Sequence, residues 1–176
     1  MKLFYLILIF IFPIISHAQV SDVKVQLKES YKNYENALKE IKFAITKLED
    51  CDKTKSIDVI HRNASDANKY LSLAKRIISY AKDRAYHAEK EASKTNCSKV
   101  QDQVKDVKNY FYDAERDIAS ANGTLSIVKY NKRDLGLLNQ SISDAETDIN
   151  RALKKMNEAV FKLGNALAIL QECNQK

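Results

Sequence analysis

The sequence predicts an all-α protein, a long antiparallel up-down-up-down four-helix bundle with heptad, Ala-rich seams. Three observations predict it. Apolar residues recur in four runs at spacings of three and four, the rhythm that keeps one stripe along one face of a helix. The runs fall out of phase with one another at polar clusters, which mark turns. Past residue 18 there is no proline, the only one being Pro13, and the chain holds three glycines. Sandwiches and barrels need turn residues far more often than that.

Residues 1–18 read as a secretory signal. Lys2 supplies the positive start, and Leu3–Ile15 is apolar but shorter than the roughly 20 residues that span a bilayer. Ser16 and Ala18 place small residues where a signal peptidase reads, so cleavage is expected before Gln19. Residues 19–176 then form a single four-helix-bundle domain, secreted or periplasmic, with no integral membrane segment after cleavage. Their length suffices for one core.

The first helix is expected over about 20–50, on the stripe Leu27, Tyr31, Tyr34, Leu38, Ile41, Ile45 and Leu48. The cluster from Asp50 to Thr54 ends it, and Ser56 is a plausible N-cap for the next. The second helix, about 55–95, carries Ile57, Ile60, Ala64, Ala67, Leu71, Ala74, Ile78, Ala81, Ala85, Ala88 and Ala92. Thr95–Ser98 breaks the phase, with Asn96 or Ser98 as the expected cap. The third helix, about 98–130, follows Cys97, Val100, Val104, Val107, Phe111, Ala114, Ile118, Ala121, Leu125 and Val128. Gly123 interrupts it and is a candidate kink. The cluster Asn131–Asp134 precedes the fourth helix, about 134–174. There the large residues Leu135, Ile142, Ile149, Met156, Leu163 and Leu170 alternate with Leu138, Ala145, Ala152, Ala159, Ala166 and Cys173. Small residues at alternate seam positions bring helix axes to the low end of the usual spacing of about 8–10 Å, which leaves little internal volume. Asp113–Ile118 resembles Asp144–Ile149, a match that heptad sequences produce readily.

Composition excludes several chemistries. Metal sites in bundles use inward Glu and Glu-x-x-His pairs, and the chain has none. His61 and His87 lie 26 positions apart on one helix, hence about 39 Å, and cannot share a ligand. No phosphate-binding loop or nucleophile pattern is present, so neither catalysis nor a cofactor is expected.

The basic excess, formally +6 for the whole chain, gathers on the second helix. Lys55, Arg62, Lys69, Arg76 and Lys90 recur every seven residues, broken once by Asp83, on the face opposite the seam. Such a row is the candidate anion- or partner-binding site, for an unidentified protein or an anionic surface, with nucleic acid disfavoured. An ordinary solvated face has the same look. Phe43, Phe161, Tyr86 and Tyr112 fall on outer positions of different helices. Asn63, Asn96, Asn122 and Asn139 each begin an Asn-x-Ser/Thr acceptor pattern, which matters only in a eukaryotic secretory pathway.

Three cysteines allow one internal disulfide. Antiparallel topology puts Cys97 and Cys173 at one pole and Cys51 at the other. A Cys97–Cys173 bridge is therefore expected, worth about 3–5 kcal/mol. Cys51 is the candidate free thiol, in a monomer or a Cys51-linked dimer. Function is expected to be non-catalytic binding by an adaptor, chaperone-like or inhibitor-like module. The alternative is a rigid spacer or scaffold with no ligand.

Overall fold

The computed structural model describes the backbone of residues 2–95, 97–128, 130 and 134–173, with side chains from residue 20 onward. Among the described residues four helices follow one another: α1 (Lys2–Asp52), α2 (Ile57–Ala92), α3 (Ser98–Val128) and α4 (Leu135–Cys173). The described residues contain no strand. The last three match the expected spans within a few residues. The first departs from expectation, because α1 begins at Lys2 and the backbone of residues 2–18 runs into the bundle helix without a break. No glycine, and no proline after Pro13, interrupts the junction. Among the described residues no helix is long and apolar enough to cross a membrane.

Local chemistry sets the ends. Ser56 occupies the N-cap position of α2 with extended backbone, but its side chain makes no capping bond. The Ser56 carbonyl instead accepts from the Ile60 N–H at 3.0 Å, and the Thr54 hydroxyl accepts from the Ser56 N–H at 3.1 Å. At the start of α3, Ser98 is the first helical residue rather than the cap, while Asn96 lies outside the described residues. Asp134 caps α4: its carboxylate accepts from the Leu137 N–H at 3.1 Å and its carbonyl from Leu138. The rest of that turn, 131–133, lies outside the described residues. Gly123 does not break α3 and has no positive φ.

The helices pack as a bundle, α1 along α2, α2 along α3 and α3 along α4, with a sparser contact between α1 and α4. Arg84 reaches Gln26, Ser30 reaches Ala81, and Cys51 reaches Ile60. Asn68 meets Ser126, Lys82 meets Glu115, and Lys108 meets Glu89. Lys162 meets Asp106, and Arg151 meets Asp117. Tyr34 donates to Asn157 across α1 and α4 at 3.2 Å. Cys97 and Cys173 are joined in a disulfide, Cα atoms 6.3 Å apart, closing a loop of sequence separation 76.

The core follows the expected stripes on α2, α3 and α4, apart from Ile57, Leu135 and Cys173, which are only half-buried at the ends. On α1 the expected stripe is corrected. The buried line is Val23, Leu27, Ser30, Ala37, Ile41, Ala44, Leu48 and Cys51, while Tyr31 is 40% exposed. Tyr34, Leu38 and Ile45 pack only at its edge. The buried line carries the small residues Ser30, Ala37 and Ala44 where the expected stripe had the larger Tyr31, Leu38 and Ile45, as close approach of helices favours. Ser30 is tolerated at full burial because its hydroxyl donates to the Ala81 carbonyl at 2.8 Å.

Candidate functional site

Arg62, Lys69, Arg76 and Lys90 are exposed along α2, whereas Lys55 is exposed in the turn ahead of the N-cap Ser56 and so stands off the helical row expected for it. Two are partly engaged. Lys69 pairs with Asp66 at 2.9 Å, and this bond holds the Asp66 carboxyl below its usual range. The Lys90 ammonium sits 4.8 Å from the Tyr86 ring centroid. Arg84, one step past the interrupting Asp83, turns toward Gln26.

The outer aromatics have different fates. Phe43 packs on Tyr70, ring centroids 5.4 Å apart, with Lys39 over its face. Tyr86 and Tyr112, distant in sequence, meet in one groove of about 260 Å³ between α2 and α3, with Lys82, Asp83, Lys108 and Asn109. Lys82 covers Tyr112 and Lys108 covers Tyr86, each ammonium 5.8 Å from the ring centroid. Phe161 is 68% exposed. It borders a groove of about 630 Å³ along α4 with Tyr110, Asn150, Leu153, Lys154, Asn157, Glu158 and Lys162.

A second groove of about 560 Å³ shares Lys154 with the first and lies between α3 and α4. Arg116, Asp117, Ser120, Arg151 and Lys155 complete its lining. Arg151 is held from below by two acids, Asp148, which is buried, and Asp117 at 3.8 Å. Arg116 pairs with Asp113 at 3.5 Å and Lys155 with Glu158 at 3.4 Å. Lys154 makes no ion pair among the described residues. This cluster is absent from the residues singled out in the sequence. Its trace there is the resemblance of Asp113–Ile118 to Asp144–Ile149, which aligns Asp117 with Asp148. The two helices present both carboxylates to one arginine.

Cys51 is buried, and its thiol lies 3.4 Å from the Lys47 carbonyl and 3.7 Å from that of Ile60. Burial, then the charges of Asp52, Asp50 and Glu146, push it up to about 11. Disulfide exchange needs an accessible thiolate, so this placement works against the Cys51-linked dimer. Among the acceptor patterns, Asn63 is buried, Asn122 half-buried and Asn139 exposed. The described residues hold no group of His, Cys, Asp and Glu able to bind a metal. No protein family matches the chain, and neither a curated protein nor a solved structure is found similar to it.

Proposed function

We propose that this chain is an exported, non-catalytic bundle that acts by binding, with its helices running antiparallel, up-down-up-down. Support for the direction lies in the facing pairs: Gln26, Ser30 and Cys51 on α1 meet Arg84, Ala81 and Ile60 on α2 in descending order. The same inversion runs through Glu89–Lys108 and Lys82–Glu115, and through Asp106–Lys162 and Asp117–Arg151. In such a bundle α2 displays Arg62, Lys69 and Arg76 at intervals of about 10 Å along one rigid edge, with Lys90 about 21 Å beyond Arg76 past Asp83, and Lys55 in the turn ahead of the helix. That exposed row is the observation that carries the reading. An anionic polymer or an acidic protein surface is the ligand it suits.

Charge reversal tests it. The triple variant Arg62→Glu, Lys69→Glu, Arg76→Glu is expected to lose retention on a heparin column while its circular dichroism stays helical. The control Lys24→Glu, Lys28→Glu, Lys32→Glu changes net charge equally at exposed positions of α1 and should be retained. Equal loss in both variants would reduce the row to net charge, and salt-insensitive retention would exclude an electrostatic contact.

A further inference from the structure

We propose that the double groove on the α3–α4 face is the docking site for an acidic amphipathic helix of a partner protein. The two grooves share Lys154 and run from Asn150 to Lys162, about 18 Å along α4. One groove carries Tyr110, Leu153 and Phe161 beside Glu158 and Lys162. The other carries Arg116, Arg151, Lys154 and Lys155 around Asp117. Phe161 is exposed at a site where the core could not use it, and aromatic and arginine side chains are what interface centres favour. Arg151 is already oriented by Asp148 and Asp117, so little side-chain freedom is lost when it meets a further carboxylate. The guanidinium carries five N–H donors, more than those two acids consume. Lys154 has no acid of its own among the described residues.

Shape and charge select the occupant. Both grooves are shallow and open, whereas small-molecule sites enclose about 70–90% of the ligand's surface. A polyanion would leave Tyr110, Leu153 and Phe161 unused. A helix with carboxylates on one turn and apolar anchors on the next matches both halves, in the helix-in-groove mode. This occupant presupposes that the chain acts by binding, but it uses a face distinct from the α2 row.

The test is selection by the full chain from a displayed library of acidic amphipathic helices, roughly 18 residues long and randomised at the apolar anchors. Affinities of enriched peptides follow by fluorescence anisotropy at physiological salt. The expected result is binding that weakens at least about tenfold in Lys154→Glu and in Phe161→Ser, each checked for helicity. The α2 triple reversal should leave it unchanged. Arg151 is avoided because its loss would strand the buried Asp148. Failure to enrich any peptide, equal binding of Lys-for-Glu versions, or indifference to both variants would overturn the proposal. So would preferential binding of heparin or phosphatidylglycerol vesicles at this face, or a self-association that Phe161→Ser abolishes. Heparin retention lost in the α2 triple variant, with no groove-dependent peptide, would leave the α2 row standing and remove this groove alone.

Discussion

Gly123 and Gly164 lie in helix interiors, exposed, with open space where a Cβ would stand. Nothing in the fold uses their freedom, since neither has a positive φ. Gly123→Ala is therefore expected to stabilise the protein by about 0.5–1 kcal/mol, read from the urea midpoint. Glu146 is a second residue whose environment is unfavourable. Burial, then the charges of Asp52 and Glu49, raise its carboxyl above the ordinary 4.5. The folded state thus binds this proton more tightly than the unfolded chain, and ionisation at neutral pH costs stability. Glu146→Gln is expected to raise the urea midpoint at pH 7, the gain fading as pH falls toward 4.5 and absent below it, where both states hold the proton. A gain that grows toward acid pH would have the wrong sign. Asp148 shows why part of the site was hard to read. A carboxylate beside Ile149 on the seam looks like a solvated edge in sequence. Only the neighbouring helix, bringing Asp117 to the same arginine, explains its burial.

At the scale of the helix, α1 separates pattern from packing. Its 3-4 rhythm is plain in the sequence, but two adjacent lines share it: Ser30, Ala37 and Ala44, and Tyr31, Leu38 and Ile45. Size favours the second line as the core, and structure buries the first. Hydrophobicity ranks side chains by area removed from water, whereas close helix approach selects for small ones. α4 holds the same pairing at Ala152/Leu153, Ala159/Val160 and Ala166/Leu167, but there the large seam residues Ile149, Met156, Leu163 and Leu170 fix the phase, so the small residue of each pair was legible as core. Ala37→Leu and Ala152→Leu are both expected to overpack these contacts and to destabilise by about 1–3 kcal/mol. Tyr31→Gln, on the exposed line, should stay within about 0.5 kcal/mol of wild type by thermal melt. Equal tolerance of Ala37→Leu and Tyr31→Gln would return the α1 core to the larger residues.

For the whole molecule, the decisive relation is between poles. The disulfide joins the residue before α3 to the last residue of α4. Cys51 lies near the far end of α1, beside Ile60 at the start of α2. In the proposed antiparallel arrangement, chain order and helix length account for this separation, because short turns send each helix back along its predecessor. The groove on α3 and α4 was not readable in the same way. Its lining comes from two helices whose facing residues leave no local pattern beyond the match of Asp113–Ile118 to Asp144–Ile149, and Phe161 signals only exposure. Closing a loop of this size stabilises by about 4 kcal/mol on a chain-entropy basis, so the bridge is also a large share of the expected stability. Non-reducing peptide mapping, with alkylation before and after unfolding, tests the antiparallel bundle most directly. The expected result is a Cys97–Cys173 peptide pair, with Cys51 alkylated rapidly only once the chain is unfolded. A Cys51–Cys97 or Cys51–Cys173 linkage would contradict the arrangement of the helices themselves.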